Sequence, residues 1–191
     1  MTSKNTSLMD YSNFIKVVLV GTTHPGNIGA AARAIKTMGL SKLDLVCPKE
    51  FPSNEATYRS KAAKDILEKA SIHETLFESV KGCEMVIGTS ARNRKVPWPV
   101  LNPKNASKEI NEAVKNNSKV AIVFGREDRG LTNEELGLCN LHIHIPTNED
   151  YSSLNLAQAV QIVTYEIRMN FLELESLKND QEWDVELASA E

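Results

Sequence analysis

The amino-acid sequence predicts an α/β fold, a mainly parallel sheet with helices on both faces. Three observations predict it. Apolar runs of strand length alternate with helical segments almost throughout the chain. Helix starts and stops fall between those runs. At 191 residues the chain is long enough for one domain with a real core and too short for two comfortable ones.

In chain order, strands are predicted at 16–20, 43–46, 85–89, 120–124 and 141–145. Helices are predicted between them near 28–38, 59–70, 75–81, 106–116 and 132–139. A long final helix follows at 153–175, where Leu156, Val160, Val163, Ile167 and Phe171 recur at helical spacing. Asn27 is expected to cap the first helix and Gly39 to end it. Thr132 and Glu135 form an S/T-x-x-E capping box. Residues 1–14 are polar, without the apolar segment of a signal peptide, and read as a short disordered lead. The folded domain is expected over 15–175. Residues 176–191 form a polar acidic tail, either a frayed end or the start of a further domain.

Composition, with 41% hydrophobic and 25% charged residues, is ordinary for a globular protein, and no apolar run approaches the length of a bilayer span. The cytoplasm is the expected compartment. Cys47, Cys83 and Cys139 are widely spaced with no CxxC pair, which argues against a disulfide framework and a thiolate zinc site. The four histidines form no HExxH. His142 and His144 share one face of a strand, open in principle to a metal but read as its less apolar side, so no metal is expected. The net charge of −3 gives no global case for nucleic acid, yet the cluster ARNRK (91–95) is locally basic.

Ligands of open parallel sheets gather beyond the carboxyl ends of the strands, so the loops at that edge carry the argument. In GTSARNRKVPWPVLNP (88–103), small Gly88, Thr89 and Ser90 allow close backbone approach. Arg92, Arg94, Lys95 and Trp98 then offer phosphate contacts and a stacking surface for RNA. A solvated charged loop with Trp98 in the core is the plainer alternative. In FGREDRGLTNEEL (124–136), a dense Arg-Glu-Asp-Arg group follows an apolar strand. It reads equally as a site or as a surface ion-pair network. In IPTNEDYSSLNLAQA (145–159), Ser152, Ser153 and Asn155 cluster at a helix start, where free N–H groups and hydroxyls can hold a polar ligand. N-capping by Ser152 or Ser153 explains part of that cluster.

The opening loop fits neither common nucleotide fingerprint. Gly21, Gly26 and Gly29 are spaced G-x4-G-x2-G and no Lys-Ser/Thr follows. What remains is a polar helix entrance with Asn27. Arg33 stands in the second turn and is expected to lean back toward that entrance. Ala30, Ala31, Ala32 and Ala34 make a narrow surface suited to close packing, within the chain or against another subunit.

The segments HPGNIGAAARAIKTMGL, FGREDRGLTNEEL and IPTNEDYSSLNLAQAVQIVTYEI resemble, in this order, the three signature motifs of the SpoU (TrmH-like) branch of the SPOUT methyltransferases. The resemblance covers roughly residues 15–172. With GTSAR, PWP and YSSLNLA the wording is most similar to TrmJ-like members, which methylate the ribose 2′-oxygen of nucleotide 32 (C/U) in the tRNA anticodon loop. It implies a C-terminal trefoil knot, a rare exception to unknotted topology. It also implies a homodimer with a composite active site, tRNA as partner and S-adenosyl-L-methionine as cofactor. Carried over, Thr89, Ser90, Ala91, Gly125, Arg126, Ile145, Ser153 and Leu154 line the cofactor pocket. Asn27, Arg33, Glu127, Ser153 and Asn155 form the catalytic group, and Arg92, Arg94, Lys95 and Trp98 touch RNA. Another SpoU-type tRNA or rRNA methyltransferase, or a non-catalytic RNA-binding member, is the alternative. TrmJ-like members usually continue into a helical extension that grips tRNA, whereas this sequence stops at Glu191.

For the chemistry, positioning can supply about 7–11 kcal/mol of the barrier. A guanidinium holds its proton far above neutral pH, so deprotonating one there costs about 7–9 kcal/mol. Arg33 is therefore read as a clamp on the phosphate beside the target ribose and a stabiliser of the developing alkoxide. Glu127 is the rival base, or the group that orients Arg33.

Overall fold

The computed structural model describes residues 11–90, 99–148 and 150–179. Along the chain the strands are β1 (Ile15–Val20), β2 (Lys42–Val46), β3 (Ser71–His73), β4 (Met85–Ser90), β5 (Val100–Leu101), β6 (Val120–Phe124) and β7 (Leu141–His144). The helices are α1 (Pro25–Thr37), α2 (Asn54–Ser60), α3 (Lys64–Glu68), α4 (Leu76–Val80), α5 (Pro103–Lys115), α6 (Asn133–Gly137) and α7 (Leu156–Asn179). The strands form one seven-stranded sheet in the order β3-β2-β1-β6-β4-β7-β5, with every pairing parallel.

Strand composition explains the order. All five residues of β6 are buried, and a strand with no polar face belongs in the middle of a sheet covered on both sides. The short β3 and β5 close the two edges, which leaves little unpaired backbone exposed. Alternate residues of β1 supply opposite layers. Val17 and Leu19 meet Ile28, Ile35, Ile110, Val163 and Ile167 of α1, α5 and α7. Val18 and Val20 meet Leu76, Val80 and Leu136 of α4 and α6.

Both edge strands lay outside the five expected, being too short for an apolar period to register. The helix expected at 59–70 is broken by the 3₁₀ turn Lys61–Ala63 into α2 and α3. α1 ends as predicted: Gly39 has φ +79°, with Leu40 N–H donating to Ile35 O and Gly39 N–H to Lys36 O, a Schellman closure. Its start differs. His24 is the N-cap and Pro25 opens the first turn, which leaves Asn27 inside the helix with its amide free for other work. α7 likewise starts at Leu156, and Asn155, rather than Ser152 or Ser153, accepts the Ala157 N–H at 2.9 Å. The Thr132–Glu135 capping box forms as read.

The alanine-rich face of α1 is used within the chain, with Ala31, Ala32 and Ala34 buried in the core. The closest approach lies on its other side. A Cβ on Gly29 would sit 2.1 Å from the Ala56 carbonyl oxygen, so α2 presses directly onto α1.

Candidate functional site

At the carboxyl ends of β4, β6 and β7 lies a pocket of about 90 Å³. Thr89, Ser90, Gly125, Ile145 and Leu154, expected there from the sequence, line it. Phe124, Glu127, Gly130, Leu156 and Ala159 complete the wall, so it combines apolar surface with backbone edges and one carboxylate. The Thr89 hydroxyl donates to Val123 O at 3.0 Å, tying β4 to β6. Ser90 Oγ meets His142 Nε2 at 2.8 Å, which gives the buried His142 a positioning partner. No cluster of metal-binding side chains occurs among the described residues, and no helix there is long and apolar enough to cross a membrane.

Gly125 makes the wall possible. The loop folds back so tightly that a Cβ there would lie 2.2 Å from the Gly130 carbonyl carbon and 2.3 Å from Leu131 N. Arg126 and Gly130 exchange backbone hydrogen bonds across this turn. The Arg126 side chain turns away from the pocket and forms a fork with Glu135, both contacts 2.9 Å. It thus anchors the loop to α6 through its side chain. Burial works to raise the Glu135 carboxyl, but donors from Arg126 and Thr132 outweigh it and hold the group below the usual range.

Beside the pocket, three distant segments meet in a hydrogen-bonded relay. Asn155 Nδ2 donates to Asn27 Oδ1 at 2.9 Å, and Asn27 Nδ2 donates to Glu127 Oε1 at 2.9 Å. Glu127 also accepts from the Thr23 N–H and hydroxyl, both at 3.0 Å, and from the His24 N–H at 3.3 Å. α1 has no acid in its own first turn, so this carboxylate from the β6 loop supplies negative charge at the helix entrance. Burial again pushes the Glu127 carboxyl up, yet the Asn27 amide and the backbone donors hold it below the usual range. A carboxylate so saturated is a strong acceptor of hydrogen bonds and a weak base.

Arg33 does not join this group. Six residues beyond Asn27, it points to another side of α1. There it lines a separate concavity of about 310 Å³ with Lys36, Thr37 and Ser60–Ala63, against the expected lean toward the entrance. Among the described residues its guanidinium makes no hydrogen bond or ion pair, only its backbone carbonyl accepting from the Thr37 hydroxyl at 2.8 Å, and the side chain is exposed. Ser153 is exposed beside the relay without lining the pocket. Ala91, Arg92, Arg94, Lys95 and Trp98 lie outside the described residues.

A family model of the SpoU rRNA methylase family matches residues 15–165, the span that holds the pocket and the relay. The chain belongs to the SpoU rRNA methylase family. One similar relative is the tRNA (cytidine/uridine/adenosine-2′-O-)-methyltransferase TrmJ of Pseudomonas aeruginosa, 54% identical over 83% of this chain and 62% of its own length. The chain therefore spans about 62% of the curated relatives it matches. Among solved structures, a probable methylase family protein from Haemophilus influenzae superposes with a TM-score of 0.79 at 45% identity, covering 92% of this chain and 72% of that one. TrmJ from Z. mobilis ZM4 gives a TM-score of 0.76 at 33% identity, covering 89% of this chain and 82% of that one.

Within this SpoU domain, sequence reasoning missed Thr23 and His24 as the donors that fix Glu127. The available signal was the polar TTH segment directly ahead of Pro25. A separate concavity of about 630 Å³ lies far from the pocket, around the amino-terminal ends of β1, β2, β3 and β6. Its centre is Asp44, which takes Lys16 Nζ at 2.9 Å, Ser79 Oγ at 3.0 Å and His73 Nε2 at 3.2 Å. Those contacts latch α4 and β3 to the central strands, and we read that concavity as scaffold.

Proposed function

We propose that this chain is an S-adenosyl-L-methionine-dependent ribose 2′-O-methyltransferase acting on nucleotide 32, C or U, of the tRNA anticodon loop. In this reading it works as a homodimer whose C-terminal segment is threaded into a trefoil knot. The relay Asn155–Asn27–Glu127 beside the pocket carries the proposal, because it joins all three SpoU motifs at one place. The similarity to TrmJ supports the substrate class. The dimer is supported by Tyr165, Met169 and Leu172, which stand exposed on one face of α7 at helical spacing.

The pocket suits the cofactor chemically. Ile145, Leu154 and Leu156 offer apolar surface for a flat base, and Glu127 places a negative charge beside a cationic donor. S-adenosyl-L-methionine, when bound, supplies an electrophilic methyl group. The residues of the chain do the rest. Asn27 and Asn155 hold the pocket mouth in one arrangement. Arg33, exposed on α1, reaches across the dimer to the other subunit's pocket, grips the phosphate beside the target ribose, and stabilises negative charge on the 2′-oxygen as its proton passes to water. Glu127 keeps the α1 entrance in register and moves no proton. Incubating the chain with labelled cofactor and an unmodified tRNA transcript, then mapping the methylated nucleotide, tests this reading. Label at the ribose of nucleotide 32 is expected; label elsewhere, or none, overturns it.

A further inference from the structure

We infer that the groove between α1 and the α2–α3 turn is a single-stranded RNA contact surface, in which Arg59 and Lys61 take backbone phosphates and Tyr58 takes a stacked base. The inference rests on the tRNA reading above and extends it beyond Arg33. α2 is clamped to the entrance half of α1, since a Cβ at Gly26 would meet Glu55 at 2.6 Å and one at Gly29 would meet Ala56 at 2.1 Å. Arg59 and Lys61 are therefore carried on the same rigid unit as Arg33, and Lys61 shares a concavity with it.

The groups lining this groove and on its α2 rim differ in availability, Lys36 and Lys61 lining it and Tyr58 and Arg59 standing on the adjoining end of α2. Lys36 is committed, to Asp65 at 2.6 Å and to Ala62 O at 2.9 Å. Among the described residues Arg59 has only a long exposed contact with Glu55, 3.8 Å, of the kind that binds a side chain weakly. Tyr58 is 69% exposed, and Lys61 Nζ sits 3.9 Å from its ring centroid. One ring face thus meets an ammonium, and the exposed ring has surface left for a base. A cation beside an exposed aromatic is the pairing that single-stranded RNA uses, phosphate on one and base on the other.

The backbone adds a second observation. Lys61 has φ +51° and ψ −117°, a left-handed conformation that glycine adopts without strain and lysine does not. A strained backbone that carries a charged, exposed side chain at a groove beside Arg33 points to use of that side chain.

The test separates side chain from backbone. Lys61→Gly relieves the strain and deletes the charge, so it should leave the thermal midpoint unchanged or higher. At the same time it should weaken binding of an unmodified tRNA transcript and lower the slope of log Kd against log salt by about 0.7–0.9. Tyr58→Ala should weaken binding about fivefold to a hundredfold. Both should raise KM for tRNA and leave kcat at saturating tRNA intact. Lys119→Ala, just ahead of the central strand β6 in the concavity around Asp44 and outside this groove, removes the same charge and should change none of these. If the wild-type chain binds and methylates tRNA while Lys61→Gly and Tyr58→Ala behave like it, this inference falls alone. Equal weakening by Lys119→Ala also overturns it, leaving only a net-charge effect. A wild-type chain that binds no tRNA brings down both readings.

Discussion

Glu127→Gln keeps the side-chain shape and removes its charge, so it isolates what the carboxylate does. In the structure that carboxylate accepts four hydrogen bonds, two from Thr23 and one each from His24 and Asn27. An amide has one acceptor oxygen, and its NH₂ must face one of the two donor pairs. Turned toward Thr23 it opposes only the backbone N–H, because the hydroxyl can rotate to accept. Turned the other way it opposes two fixed donors. The first arrangement wins and preserves the bond to Asn27. Losing one charge-assisted bond costs about 1.5–3 kcal/mol when buried, reduced at this half-buried position to about 1–2 kcal/mol. For a chain of this size the thermal midpoint should fall by about 2–8 °C. Since the relay survives and Glu127 holds its proton weakly, turnover measured with labelled cofactor at saturating tRNA should drop less than about tenfold. General-base residues contribute about 10²–10⁴-fold. A folded Glu127→Gln enzyme slowed a thousandfold would make Glu127 the proton acceptor and refute the orienting role. An unchanged midpoint would refute the hydrogen-bond count.

The midpoint gap between wild type and Glu127→Gln should also depend on pH. The Glu127 carboxyl is held below its ordinary value, so its stabilisation is present above about 4.3 and disappears as pH falls through the lowered value; melting curves at pH 7 and pH 3 should show the gap closing. Arg33→Lys keeps the charge and loses the fork, and turnover should fall by about 10²-fold with no shift in the pH optimum. Near-full activity with a profile displaced to lower pH would instead support Arg33 as a base. Gly125→Ala puts a methyl group 2.2 Å from backbone. It should cost about 1–3 kcal/mol and weaken cofactor binding in a calorimeter, and an unaltered binding curve would place the cofactor elsewhere.

Strands β1, β2, β4, β6 and β7 were legible because each buries a run of apolar residues long enough to show. β3 and β5, with three and two residues, carry too little pattern and exist because a neighbouring strand offers a ladder. Most of the pocket lining, Thr89, Ser90, Gly125, Ile145 and Leu154, was legible through the resemblance to the SpoU branch, whose motifs fall in the loops beyond β4, β6 and β7. Arg126 was placed at the cofactor by the resemblance, while its charged motif read equally as an ion-pair network; its side chain forms the ion pair, because Glu135 nine residues on offers a fork that solvent cannot match. Arg33 was misplaced for a geometric reason: the lean of a helical side chain spans one turn, and six residues put it on a different side from Asn27.

Local order in the chain was enough to determine the parallel α/β class, the Gly39 stop, the Thr132 box and the family, because each depends on residues within a few positions of one another. Which atoms meet at the site was decided only in three dimensions. Glu127 and Asn27 are 100 positions apart, and Asn155 and Asn27 are 128. No periodicity links such residues. They meet because β6 pairs beside β1, which brings the loop after β6 to the entrance of α1 and lets one carboxylate satisfy donors that the helix start leaves open.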